Sequence, residues 1–161
     1  MARKISSSDV EKIYSSAEFV ARRRRLLDET VGRVEALHAA GETPVIHTSR
    51  VEKQFADYRQ RLAFGAQVSA FLMDVVHLLP VDIGYLISKG DITSNDVLSS
   101  GLALATSRAL GQILTGCSVV RCPDHHPRYP GLPAVIFPGN VGDAHGLATV
   151  YRRLTETQDE R

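Results

Sequence analysis

The stretch "ISKGDITSNDV", residues 87–97, sets the fold class. An apolar run reaches Lys89, Gly90 permits a tight turn, and Thr93, Ser94, Asn95 and Asp96 crowd the start of a helix. Strand, glycine turn and helix in that order are the unit from which α/β layers are built. The pattern recurs in "VIFPGNVGDAHGL", 135–147, where Gly139 and Gly142 let a backbone come close to a ligand and Asn140 tolerates a left-handed conformation. Ligands of open α/β sheets sit beyond the carboxyl ends of strands, which is where both turns fall. A helix N-terminus carries partial positive charge suited to phosphate, and Lys89 adds a full one. Residue types alone leave two readings of each junction: an ordinary turn with Thr93 or Ser94 capping the helix, or amides gathered around an anion. Neither junction matches the dinucleotide or Walker pattern.

Working outward, Ser8 and Glu11 have capping-box spacing. Val20, Leu27, Val31, Val34 and His38 predict a helix over 17–40, which Gly41 stops. "TPVIHTS", 43–49, reads as a short strand. Val51, Phe55, Tyr58, Leu62, Ala66, Ser69, Met73, Val76 and Leu79 step by three and four, predicting one long helix over 51–79 that ends before Pro80. "IGYLIS", 83–88, is a nearly all-apolar strand expected to be buried on both faces. A helix over 94–105, strands at 118–122 and 134–138, and a helix from Asp143 to Leu154 complete the pattern, with 155–161 a frayed tail. The alternation predicts an α/β fold of layered type, a largely parallel sheet flanked by helices, in one domain over 1–161. Four strands fall short of the usual five or so, so the sheet is expected to be an incomplete version of a larger one.

The 161 residues suffice for a core without staples. A net charge of +1 and the absence of interleaved aromatics argue against a nucleic-acid partner. No apolar run approaches the roughly 20 residues of a membrane span, and the start "MARKISSSDVEK" has no signal-peptide core. Two cysteines without an export signal read as reduced thiols, which predicts a cytoplasmic protein. Arg22 to Arg25 spread over about 300° of a helix and read as a solvated surface rather than one binding face.

"GCSVVRCPDHH" holds Cys117, Cys122, His125 and His126, residue types that suit zinc, but an intervening strand and proline spoil the spacing, so no metal ligand is assigned. His38 and His77 lie on helices among apolar neighbours; His145, beside the second turn, is expected on a helix surface. The chain shows no nucleophile elbow, no Cys–His signature and no carboxylate pair placed for acid–base work, so no catalytic residue is assigned.

"YLISKGDITSNDV", "ALGQILTGCSVVR" and "RYPGLPAVIFPGNVGD", in that order and spacing, resemble the C-terminal, nucleotide-binding domain of the four-carbon acid sugar kinase family. The resemblance is strongest over 41–151, including "VIHTSR" and "FGAQVSAFLMDVV". It implies a function: binding ATP, with Mg2+ on the nucleotide, for phosphorylation of a small sugar acid such as threonate, erythronate or a 3-oxo relative. It implies ATP contacts at Lys89, Gly90, Asp91, Ile92, Thr93 and Ser94, and at Gly139, Asn140, Val141 and Gly142. Asp91 stands where the family usually has a second glycine, and its carboxylate either assists the magnesium or weakens phosphate binding.

The family's members are far longer, with a separate N-terminal domain that takes the sugar acid. The resemblance therefore implies a partner: a chain carrying that domain, or a second copy in a homo-oligomer. Without an acceptor site the 161 residues are expected to be inactive as a kinase. The alternative reading is a non-catalytic nucleotide-binding or protein-interaction relic of the family. A third is an oligomerisation remnant held by the long helix.

Overall fold

The computed structural model describes residues 14, 16–49, 51 and 53–156, in two compact units, Met1–Leu79 and Pro80–Arg161. The expected capping box of Ser8 and Glu11 lies outside the described residues.

The first unit holds two helices. α1 spans Ala17–Ala39, and the Ser16 hydroxyl caps it by accepting from the Phe19 amide at 3.3 Å. It stops at Gly41, whose φ of 75° is the left-handed conformation expected there. α2 spans Tyr58–His77. It begins later than its apolar stepping suggests because Asp57 caps it, accepting from the Gln60 amide at 2.9 Å, while Val51 is left exposed. Arg23 leaves the solvated run of arginines to pair with Asp74 at 2.6 Å and to lie over the Phe71 ring, linking α1 to α2. Residues 43–49 form no strand, and Val45 is exposed.

The second unit is a four-stranded sheet with helices. β1 is Leu86–Lys89, followed by α3, Asp91–Asp96, which runs into a π-helical turn over Val97–Gly101. β2 is Arg108–Leu114, β3 Cys117–Arg121 and β4 Pro133–Phe137, and α4 covers Gly146–Glu156. The strand order is β1-β4-β3-β2. Only β1 and β4 run parallel; β4 with β3 and β3 with β2 are antiparallel. The expectation of a largely parallel sheet is thus corrected to a mixed one.

The cause is β2, which the sequence conceals. "RALGQIL" has few β-branched residues, carries Gly111 at φ 129°, and pairs with two register shifts. Once it is a strand, the two-residue link Thr115–Gly116, with Gly116 at φ 80°, makes a hairpin, and a hairpin is antiparallel. β1 is an edge strand of intermediate burial rather than one buried on both faces.

The core of this unit is Cys117, Val135, Phe137 and Val150, with Ile87, Ile113, Leu114, Val119, Val141 and Leu154 packed around it. Val150 and Leu154 lie one helical turn apart and lay α4 on the sheet. Each large side chain so buried contributes about 1.5–3 kcal/mol.

Candidate functional site

Parallel pairing of Leu86–Lys89 with Ala134–Phe137 brings the carboxyl ends of β1 and β4 side by side. The two glycine turns therefore leave the sheet at one place. The Gly90 amide donates to the Phe137 carbonyl at 2.8 Å, which closes the gap between them. A Cβ on Gly139 would stand 3.9 Å from the Gly90 Cα, so the two turns leave room for little more than a methyl group between their backbones. Gly90 has φ 104° and ψ 138°, a conformation that L side chains rarely adopt.

Gly90, not Thr93 or Ser94, caps α3, and it offers no side-chain oxygen. The first amide turned back into the helix is that of Ser94, which donates to the Gly90 carbonyl at 2.8 Å. By helix geometry the amides of Asp91, Ile92 and Thr93 have no intrahelical acceptor. Three amides at the positive end of a helical segment can receive oxyanion oxygens.

The remaining residues expected at the site divide by role. Lys89 reaches across to the second turn: its ammonium donates to the Pro138 carbonyl at 3.4 Å and lies 4.2 Å from the centre of the Phe137 ring. Asp91 and Asn140 are exposed, as is the Ile92 side chain at 79%. Ser94 is 1% exposed and spent on structure. Its hydroxyl donates to the Ser88 carbonyl at 3.0 Å and accepts from the Ser88 hydroxyl at 2.9 Å, so its side chain holds the turn rather than facing a ligand. Val141 lies over Gly116, where an added Cβ would meet its methyls at 3.2 Å, and Gly142, at φ 78°, leaves room for the Phe137 ring where a Cβ would meet Cζ at 3.2 Å.

Sequence reasoning missed one wall. Leu114 and Thr115 of the β2–β3 hairpin, with Gly142, Asp143, Gly146 and Thr149, line a cleft of about 410 Å³ beside the second turn. Asp143 shapes that wall by accepting from the His145 amide at 2.8 Å. The "LTG" of residues 114–116 was the available signal, a turn between two apolar runs. Among the described residues no group of three or more His, Cys, Asp or Glu side chains could hold a metal ion. Cys117 and Cys122 are both free thiols in buried positions.

The model of one family, described as the nucleotide-binding C-terminal domain, matches residues 3–147. The chain belongs to that family. The match agrees with the resemblance carried by the three sequence motifs; it covers both glycine turns and reaches into both compact units. Nucleotide binding is therefore the coarse function. No curated protein and no solved structure matches the chain. Among the described residues no helix is long and apolar enough to cross a membrane.

Proposed function

We propose that the two turns bind ATP, and that this chain is the ATP-binding part of a four-carbon acid sugar kinase. Combined with a domain that binds the sugar acid, on this or another chain, it would phosphorylate a threonate, erythronate or 3-oxo-tetronate type of substrate. The observation that carries the reading is the junction of Gly90 with Phe137 and Gly139, which leaves a bare backbone surface at the end of two parallel strands. The residues present fit a triphosphate: side-chain-free glycines, three first-turn amides and one lysine.

In this reading the amides of Asp91, Ile92 and Thr93 and the Gly139–Gly142 backbone hold phosphate oxygens, and Lys89 fixes one turn against the other. Bound ATP with its Mg2+ supplies the γ-phosphoryl group. The protein's part is positioning and charge stabilisation, which needs no nucleophile from this chain. The match across both compact units supports treating 1–161 as one nucleotide-binding domain. The buried free thiols are in keeping with a cytoplasmic setting.

Asp91 favours the second reading, a non-catalytic module of the same family. Its exposed carboxylate sits in the first turn of α3, where its negative charge repels a phosphate brought to the same amides.

The test is thermal unfolding with and without magnesium-ATP, comparing the chain with Gly139→Val. Gly139 has an ordinary φ and only an ordinary contact at the Cβ position, so the valine obstructs the turn without forcing the backbone. ATP at 100 times its Kd stabilises the fold by about 2.7 kcal/mol, a rise of roughly 5–10 °C. The substitution should abolish that rise. A cooperative transition that ATP leaves unmoved in the unsubstituted chain would sink the kinase reading and leave the non-catalytic module.

A further inference from the structure

The end of the sheet remote from the glycine turns carries a second cluster of charge. Arg121 pairs with Pro133 at the start of β4, whereas the turns follow its end. Across the β2–β3 ladder Arg121 faces Arg108 directly. Directly opposed residues of an antiparallel pair project to the same side of the sheet, and like charges so placed repel. Together with Thr106, Ser107, Cys122, Pro123 and Asp124 the two arginines line a cleft of about 300 Å³.

The two guanidinium groups are not equivalent. Arg121 is held: its Nη2 donates to the Asp124 carboxylate at 3.1 Å, and it lies against the loop at Gly131, where a Cβ would approach Nη2 to 2.8 Å. Gly131, at φ 70°, thus makes the space in which this guanidinium rests. The Arg108 side chain makes no ion pair or hydrogen bond with another described residue. Asp124 is 85% exposed in its side chain and offsets only one of the two charges. The cleft is therefore lined by one arginine with an oriented guanidinium, one with an unneutralised guanidinium, and by Thr106 and Ser107.

We propose that this cleft binds a small phosphate-bearing anion, bridged between Arg108 and Arg121 with the Thr106 and Ser107 hydroxyls as further donors. The guanidinium fork matches phosphate oxygens two at a time, which suits it to this task better than a lysine. A volume of about 300 Å³ admits a phosphate with a few attached carbons and lies at the small end of ligand clefts. The bound anion would cancel the repulsion between the two opposed arginines, so occupancy would tie β2, an edge strand with two register shifts, more firmly to β3. This site is separate from the glycine turns and does not depend on the kinase reading.

The experiment is a titration of the chain with inorganic phosphate and, in parallel, with glycerol phosphate, against sodium chloride at matched ionic strength. Thermal unfolding and the amide resonances of residues 106–108 and 121–124 are the two readouts. Phosphate should raise the transition temperature beyond the chloride effect and move those resonances. Arg108→Gln should fold normally, since it removes a repulsion, and should weaken phosphate binding about tenfold or more. Asp124→Asn should tighten it by removing a competing negative charge. Gly139→Val should leave the response intact, which separates this cleft from the nucleotide turns. A glycerol phosphate response stronger than that of inorganic phosphate assigns an organic monoester; equal responses assign the free ion. A phosphate effect no larger than that of chloride overturns the proposal, as does an effect that survives Arg108→Gln or disappears with Gly139→Val.

Discussion

The amide of Gly90 donates to the carbonyl of Phe137 at 2.8 Å, forty-seven residues away along the chain, and so joins the first glycine turn to the strand that feeds the second. The donor sits in a backbone conformation with φ 104°, which only glycine adopts without strain. Gly90→Ala should therefore cost about 1–3 kcal/mol. Space is not the obstacle, because the nearest atom to an added Cβ, Thr93 Oγ1, is 3.6 Å away. Urea unfolding would show a lower midpoint at unchanged slope; a midpoint equal to that of the unsubstituted chain would contradict the assigned backbone.

Ser94 separates a positioning role from a contacting one. With its hydroxyl bonded to the carbonyl and hydroxyl of Ser88, Ser94→Ala should destabilise the unit by about 1–3 kcal/mol, the cost of stranding a buried partner. Ser94→Cys, nearly isosteric but a poor donor, should recover little of it. A Ser94→Ala chain of full stability with selectively weakened nucleotide binding would mean that the hydroxyl faces the ligand instead.

His126 pins the long loop between β3 and β4. Its Nε2–H donates to the Leu102 carbonyl at 2.7 Å, and its Nδ1 accepts from the Tyr129 amide at 2.9 Å, while the ring stacks on Tyr129. Both ring nitrogens are thus used, and the tautomer follows from the two partners. His126→Ala should cost about 1–3 kcal/mol and speed hydrogen exchange at the Tyr129 amide. Unchanged exchange there would show that the loop is held by other contacts.

Burial pushes the thiols of Cys117 and Cys122 above the ordinary value of 9.0, with Lys89 offsetting part of the rise at Cys117. A thiol that holds its proton more tightly folded than unfolded contributes stability in full below about pH 9. That contribution is lost as pH rises through the raised folded value. Urea midpoints measured from pH 8 to 10.5 should fall less steeply for a Cys117→Val, Cys122→Val chain than for the unsubstituted one. Parallel slopes would show that the thiols are not the source.

Much of the chain was legible locally. The bounds of α1, the glycine stop at Gly41, the end of α2 before Pro80 and the strand at 134–138 follow from signals that act within a few residues: caps, φ preferences, periodicity. The two glycine turns were legible for the same reason. Apolar spacing predicts α2 too long at its start because it continues past the cap at Asp57. Residues 43–49 looked like a strand by composition and form none, since a strand needs a partner as well as a propensity.

By itself the sequence determined where the backbone turns, which residue types stand at those turns, and the family that the three motifs indicate. The tertiary structure alone decided who stands beside whom. It made "RALGQIL" a strand and the sheet mixed, buried Ser94 while exposing Ile92, joined Gly90 to Phe137, and set Arg108 opposite Arg121. The physical reason is range. A turn is fixed by the torsions of a few consecutive residues, whereas strand order and register depend on hydrogen bonds and packing between segments far apart in the chain, which no local pattern encodes.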